Sequence, residues 1–126
     1  MNFPEELKYT KEHEWVRIDG DTGIVGITDY AQGELGDIVF VELPAKGKRV
    51  KQGETFGTIE AVKAVSDLYV PVSGEVIDVN GALEKASELV NSEPYAGGWM
   101  IKIKIANKQE VNNLLDVKQY RALIGK

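Results

Sequence analysis

The chain of 126 residues contains no cysteine and only one histidine, His13. Without cysteine there can be no disulfide, no thiolate nucleophile and no sulfur-ligated metal or iron–sulfur centre. A single imidazole cannot build a multi-histidine metal site within one chain. Any thiol redox chemistry would therefore need sulfur from a prosthetic group.

Clusters of basic residues and long apolar runs are also missing. The formal net charge is -5, and no basic cluster is interleaved with aromatic residues. Nucleic acid and anionic membranes are therefore poor candidate partners, because phosphate binding needs clustered Lys and Arg. No apolar stretch approaches about 18 residues, and no basic segment precedes an apolar one at the N-terminus, so we expect no membrane span and no signal peptide. A cytoplasmic location is the default expectation.

The overall composition is that of a globular chain, with 43% hydrophobic and 28% charged residues. A chain of this length fits one domain with one core. We therefore expect a single domain over residues 1–126, a helical extension over about residues 107–126, and a monomer.

Short strands account for most of the hydrophobic pattern. Thr28 is a residue type that often caps the start of a helix, and Gly36 is one that often ends a helix. Together they predict a short helix between them. The segment WMIKIKI alternates, so Trp99 and the three isoleucines are predicted to share one face. Strands are predicted at residues 14–18, 22–27, 37–43, 55–61 and 66–72, and in GEVIDVN and WMIKIKI.

The C-terminal segment changes to a helical period. Asn107 with Glu110, and Asp116 with Gln119, have the spacing of capping boxes, which predicts two short helices. A faint repeat before and after Lys63 pairs Gly53 with Asn91 as turn positions with positive φ. The repeat predicts two β units packed face to face, with Lys63 at their connection.

Motifs of independent catalysis are absent. No serine lies in G-x-S-x-G, and neither a phosphate-binding loop nor a dinucleotide-binding fingerprint is present. Paired carboxylates are inevitable among 20 acidic residues, so they indicate a solvated face. His13, in the charged string KEHEW, is interpreted as a surface or turn histidine.

Lys63 lies in the break between two apolar strand segments, in the sequence AVKAVSD. A lysine at such a position is ordinarily a solvated turn residue. This break contains no Gly, Pro or Asn, so it lacks the usual turn residues. One amine between fixed apolar neighbours also suits covalent attachment, because an amine attacks an activated carboxyl group to give a stable amide.

The segment GTIEAVKAVSDLYVPVSGEV resembles the lipoyl-attachment segment of the glycine cleavage H-protein family. The usual pattern, E-[SA]-V-K-[AT]-x-[SA]-[DE] followed by P-[IVL]-S-G, stands here at residues 60–67 and 71–74. Ala61 stands where the family often has Ser. The segments KYTKEHEWV, GITDYAQGELGDIVFVELP and VNGALEKASELVNSEPYAGGWMIKI also match, so the resemblance covers nearly the whole chain.

The resemblance implies a mainly β fold, a lipoyl/biotinyl-type β-sandwich (barrel-sandwich hybrid) with short flanking and C-terminal helices. It implies that Lys63 carries lipoic acid as an amide on its side-chain nitrogen. It also implies that the loaded arm docks in a surface cleft to which Glu14 and Asp67 contribute. Glu12 stands where some members of the family have Ser.

The resemblance further implies a carrier without catalytic residues or metal. Its partners would be glycine decarboxylase, the tetrahydrofolate-dependent aminomethyltransferase, dihydrolipoyl dehydrogenase and a lipoate-attaching enzyme. Three alternatives stay open. The first is an H-like protein that acts as a lipoyl donor to other lipoyl domains or as a carrier for a different modification system. The others are a biotin carrier and a free-standing enzyme. Biotin attachment favours Met on both sides of the lysine, whereas Val62 and Ala64 stand here.

Overall fold

The computed structural model describes all residues, 1–126. Three α-helices and two 3₁₀ helices connect nine strands. The helices are α1 Asp29–Leu35, α2 Leu89–Ser92 and α3 Val117–Ile124, with 3₁₀ helices at Gly81–Glu84 and Lys108–Asn113. The strands are β1 Lys8–Tyr9, β2 Glu14–Asp19, β3 Thr22–Ile27, β4 Ile38–Glu42, β5 Arg49–Val50, β6 Thr55–Ala61, β7 Val65–Tyr69, β8 Gly74–Val79 and β9 Ile101–Ile105.

Two antiparallel sheets form the body of the molecule. The larger has the strand order β1-β2-β3-β9-β8-β5 and the smaller has the order β4-β6-β7. One cluster of 19 buried residues draws on both sheets, with Val25 and Ile103 from the larger and Ile59 from the smaller. The predicted mainly β sandwich with short helices is therefore confirmed, and the sheets do not close into a barrel.

The alternation in WMIKIKI produces a strand, but one shorter than the pattern predicts. The isoleucines of β9 are buried in the main core, while Lys104 is exposed. Trp99 precedes the strand, because its amide closes a turn onto the carbonyl of Ala96. It packs instead against a second cluster, which contains Phe3, Leu7, Tyr9, Trp15 and Tyr120. The prediction that Trp99 shares the isoleucine face is therefore wrong.

Local signals locate most other elements to within a few residues. The predicted hairpin is β2–β3, and the Thr28 side chain caps α1 by accepting from the Ala31 amide at 3.1 Å. Gly36 ends this helix with φ 86°. The strand predicted at 66–72 is shorter and begins one residue earlier, as β7. Strands β1 and β5 have two residues each, too few for any alternation to reveal.

Asn91 has a role that differs from its predicted one. Asn91 lies in α2 without positive φ, whereas Gly53 has φ 87°. The Asn91 side chain accepts from the Ile38 amide and donates to the Gly36 carbonyl, both at 2.9 Å, so it ties α2 to β4. The proposed match between Gly53 and Asn91 is therefore wrong.

Glu110 does not complete the capping box predicted with Asn107. Asn107 caps the 3₁₀ helix by accepting from the Gln109 amide at 3.0 Å. The Glu110 carboxylate instead accepts from the amide and the hydroxyl of Ser73, at 2.7 and 2.8 Å, and so ties this helix to the start of β8. The box predicted at Asp116 and Gln119 is present in full.

None of the helices is both long and apolar enough to cross a membrane.

A close backbone approach at Gly57 keeps the small sheet compact. The register between β6 and β7 shifts between Thr55 and Gly57. A Cβ atom at Gly57 would overlap the carbonyl oxygen of Glu42 on β4. Because the obstacle is backbone, it cannot move aside as a flexible side chain can, so glycine is required here.

We predict that Gly57→Ala lowers the free energy of unfolding by about 1–3 kcal/mol, because the strands must separate to admit the methyl group. Urea denaturation monitored by circular dichroism measures this change. Gly33→Ala in α1 is the matched control, since its Cβ would meet nothing within 4 Å. The control should be neutral or slightly stabilising. Equal stability of the two variants would contradict the steric account.

Candidate functional site

The hairpin between β6 and β7 presents Lys63 at its tip. Glu60 pairs with Val65, and the Ala61 amide donates to the Ala64 carbonyl at 2.7 Å, which leaves only Val62 and Lys63 beyond the ladder. Two-residue hairpin loops usually need positive φ. Neither tip residue has it, since the one non-glycine residue with positive φ is His13. The predicted strand–break–strand pattern with Lys63 at the break is confirmed.

The tip is anchored, and its amine is free. The Val62 amide donates to the Asp37 carbonyl at 3.2 Å, which ties the tip to the chain just before β4. The Lys63 side chain is exposed. Both ion pairs of the chain, Lys46–Asp78 and Lys108–Asp21, lie elsewhere. The hairpin tip therefore offers an accessible amine on a fixed support.

A cleft of about 240 Å³ opens beside the hairpin. It lies between α1, the start of β2 and the small sheet. Glu14 and Asp67, the two residues implied by the resemblance, both line it, as does Glu12. The remaining lining residues are His13, Ile27, Tyr30, Ala31, Glu34, Leu35, Ile59, Ser66 and Leu68. The cleft thus combines apolar walls with several carboxylates.

Glu14 is the buried polar group of this cleft, with 1% of its surface exposed. Its Oε1 accepts from the Thr10 hydroxyl at 2.7 Å, and its Oε2 accepts from the Tyr69 amide at 3.3 Å. Burial raises the pKa of Glu14 to about 8 because water no longer solvates the charged form. Glu14 is therefore mainly protonated at neutral pH.

Glu14 also borders a second cavity, of about 230 Å³, on its other side. Tyr69 and Pro71 line that cavity together with Leu114 from the C-terminal segment. The Glu14 side chain thus borders both cavities.

Three residues that are distant in sequence hold the back of the cleft. The Tyr120 hydroxyl of α3 lies 2.9 Å from Nδ1 of His13 and 2.8 Å from Oγ1 of Thr28, the cap of α1. Tyr120 is completely buried. The C-terminal helix therefore fixes both the His13 side and the α1 side of the cleft.

His13 is more constrained than the surface or turn residue that the sequence predicts. It lies in a turn with φ 73° and is half-buried. Burial lowers the pKa of His13, with Glu12 and Glu34 opposing the shift. The sequence contains no local signal for the Tyr120 contact, because 107 residues separate the two partners.

The fold and the hairpin together define a β-sandwich domain that holds an exposed lysine at a hairpin tip, beside a cleft with a buried carboxyl group. The glycine cleavage H-protein family model matches residues 7–126. The chain therefore belongs to the glycine cleavage H-protein family. It is a lipoyl-carrier protein of the glycine cleavage system and not a catalyst, which sets aside the biotin-carrier and free-enzyme alternatives.

Individual relatives are similar to this chain over nearly its full length. The chain is 57% identical to the glycine cleavage system H protein of Bacteroides fragilis over 125 residues, which cover 99% of each chain. It is 54% identical to that of Staphylococcus carnosus, with the same coverage. The crystal structure of the glycine cleavage system H protein from Mycobacterium marinum superposes with a TM-score of 0.91 at 37% identity, covering 98% of this chain and 100% of that chain.

We predict that Glu14 makes the protein less stable as pH rises from about 4.5 to about 8. Over this range the folded chain keeps a proton that the unfolded chain has lost, so the free energy of unfolding falls by at most about 1.4 kcal/mol per pH unit. Glu14→Gln removes this contribution. Urea denaturation at several pH values measures it as the difference between variant and wild type.

The difference between the two curves of unfolding free energy against pH isolates the contribution of Glu14, because His13 is present in both proteins. Parallel curves for wild type and Glu14→Gln would contradict the raised pKa.

Proposed function

We propose that this chain carries lipoic acid as an amide on Nζ of Lys63, and that the lipoyl arm docks in the cleft beside Glu14. The observation that carries this proposal is the position of Lys63. It is the exposed amine of a two-residue tip, and Ser66 and Asp67 of the following strand line the cleft. An arm attached at the tip therefore has a binding site next to its point of attachment.

The residues of the cleft fit a lipoyl arm and its cargo. Ile27, Ile59 and Leu68 offer apolar walls to the hydrocarbon chain, while Glu12, Glu14 and Asp67 offer carboxyl groups. When bound, lipoic acid would supply a disulfide, and one of its two sulfurs would take up the aminomethyl group. The chain itself contributes no sulfur nucleophile, since it has no cysteine.

Glu14 and Asp67 would recognise the aminomethyl cargo by its charge. A cation in the cleft favours the ionised form of Glu14 and so opposes the effect of burial. A charge-assisted hydrogen bond to a buried carboxylate is stronger than one in water. Asp67 is exposed, so it would act at the rim of the cleft and Glu14 at its floor.

The proposed cycle needs four partners. A lipoate-attaching enzyme acylates Lys63. Glycine decarboxylase then loads the aminomethyl group, the tetrahydrofolate-dependent aminomethyltransferase removes it, and dihydrolipoyl dehydrogenase reoxidises the dithiol. Tethering the cargo to one residue raises its effective concentration at each enzyme. The single-domain organisation over residues 1–126, the monomeric state and the cytoplasmic location remain predictions from the sequence.

We predict that the protein gains the mass of one lipoyl group when it is made in cells with active lipoylation, and that Lys63→Arg abolishes the gain. Arginine keeps the positive charge but is a poor acyl acceptor. Intact-mass spectrometry measures the modification. Lys85→Arg, at another exposed lysine, is the matched control and should be modified fully. A Lys63→Arg protein that still gains the lipoyl mass would overturn the assignment.

We further predict that Glu14→Gln releases the aminomethyl cargo about tenfold faster, because the amide cannot ionise and a charge-assisted hydrogen bond worth about 1.5–3 kcal/mol is lost. The rate of formaldehyde release from the loaded protein, without partner enzymes, measures this. Glu42→Gln is the control, since Glu42 is exposed and does not line the cleft. Equal release rates for both variants would argue against a docked cargo.

A further inference from the structure

His13 is the only histidine of the chain, and it lies in the wall of the cleft. Its Nδ1 lies 2.9 Å from the hydroxyl oxygen of Tyr120, and that oxygen lies 2.8 Å from Oγ1 of Thr28. We call these three residues the hydroxyl chain. Tyr120 and Thr28 are completely buried, so bulk water does not take part in their hydrogen bonds. The partners within the protein therefore determine where each hydrogen lies.

Thr28 sets the direction of the hydroxyl chain. Its Oγ1 has two hydrogen-bond partners, the amide of Ala31 at 3.1 Å and the hydroxyl of Tyr120. An amide N–H can only donate, so the hydroxyl hydrogen of Thr28 has the Tyr120 oxygen as its acceptor. The hydrogen of Tyr120 is then directed to Nδ1 of His13. Burial raises the pKa of Tyr120 to about 12, so this hydrogen is present at neutral pH.

A donor at Nδ1 determines the protonation state of the imidazole. Nδ1 must accept, so the ring hydrogen of the neutral form lies on Nε2. If His13 ionised, both ring nitrogens would carry hydrogen, and the Tyr120 hydroxyl would face a donor on each side. The hydrogen of Tyr120 would then lose its buried acceptor, which costs free energy. The hydroxyl chain therefore favours the uncharged ring, and burial of His13 lowers its pKa in the same direction.

Other titratable groups face His13 from the elements packed around it. Glu12 and Glu34 favour the charged ring, so they oppose both burial and the hydroxyl chain. The groups that share the cleft with His13 come from its own segment, from α1 and from β7, and they are Glu12, Glu14, Tyr30, Glu34 and Asp67. This set contains no lysine or arginine, so an ionised His13 would be the only positive side chain in the cleft wall.

We propose that Thr28 and Tyr120 are positioning residues that hold His13 as the neutral tautomer with its hydrogen on Nε2, so that the cleft accepts a cationic cargo. The role in accepting cargo rests on the proposed aminomethyl docking, whereas the tautomer does not depend on it. A charged imidazole in the cleft would repel the aminomethyl ammonium and would pair with the carboxylates. A neutral imidazole leaves those carboxylates to the cargo.

Nuclear magnetic resonance of the imidazole nitrogens tests the tautomer. Since the chain has one histidine, long-range proton–nitrogen spectra of the isotope-labelled protein contain a single ring. At neutral pH we expect a protonated Nε2 and an unprotonated Nδ1, which differ strongly in chemical shift. Tyr120→Phe keeps the ring that stacks on Tyr9 but removes the donor. In this variant the two tautomers should mix, and the pH of half-protonation should rise by about one unit.

Two further variants are matched controls for the tautomer. Thr28→Ser keeps the hydroxyl and should retain the wild-type tautomer. Tyr9→Phe removes another buried tyrosine hydroxyl, one that donates to the Pro4 carbonyl at 2.6 Å, and should leave the His13 ring unchanged. A wild-type ring with its hydrogen on Nδ1, or a charged ring at neutral pH, would overturn the proposal. The wild-type spectrum decides this even if Tyr120→Phe does not fold.

Release of formaldehyde from the loaded protein tests the role in accepting cargo. At about pH 6, Tyr120→Phe should release it about threefold faster than wild type, because more of its His13 is charged. At about pH 8 the two rates should be equal, since the ring is neutral in both. An acceleration that is equal at both pH values, or absent at both, would overturn the role of charge. If wild type takes up no lipoyl group, the proposed function fails, and the nitrogen spectrum still decides the tautomer.

Discussion

A hydrogen bond to one buried carboxyl group joins the two sheets beside the cleft. Glu14 begins β2 in the large sheet, and its Oε2 accepts from the amide of Tyr69 on β7 in the small sheet. The Thr10 hydroxyl satisfies its other oxygen. A buried carboxyl group is costly without such partners, so the position of the hairpin relative to the cleft floor depends on this contact.

The C-terminal segment supports residues that lie beside the cleft, without lining it itself. α1 and α3 have seven and eight residues, too few to be stable alone in water. The Tyr120 hydroxyl joins them by contacting Thr28, and it also orients His13. Stacking of Tyr120 on Tyr9, with ring centroids 4.7 Å apart, anchors α3 to the sheet. The helical extension thus holds α1 and His13 in place beside the cleft.

Local chemistry made much of this architecture predictable. The alternation of β9, the strand at residues 55–61 and the box at Asp116 depend on neighbouring residues, and all three are present. Glu110 and Asn91 bond instead to partners from distant segments, which no local pattern shows. The apolar exposure at Val39 and Phe40 accompanies a register shift in β4, a feature that the apolar run IVFV does not reveal.

In the candidate site, too, some residues are predictable from local sequence and others depend on contacts between distant segments. Lys63 is recognisable from its segment, and the resemblance implies that Glu14 and Asp67 belong to the docking cleft. His13, Tyr30 and Glu34 line the same cleft only because β2 and α1 meet there. His13 lies in a turn with φ 73°, and its amide donates to the Thr10 carbonyl at 3.1 Å. No composition rule indicates this backbone conformation.

We propose that a group attached to Lys63 reaches the cleft beside Glu14. Nuclear magnetic resonance spectra of the isotope-labelled protein, recorded before and after lipoylation and aminomethyl loading, reveal where the arm lies. We expect the amide signals of His13, Glu14 and Ala31 to shift on loading, together with those of the hairpin. Shifts confined to residues 62–65 would show that the arm does not dock in the cleft.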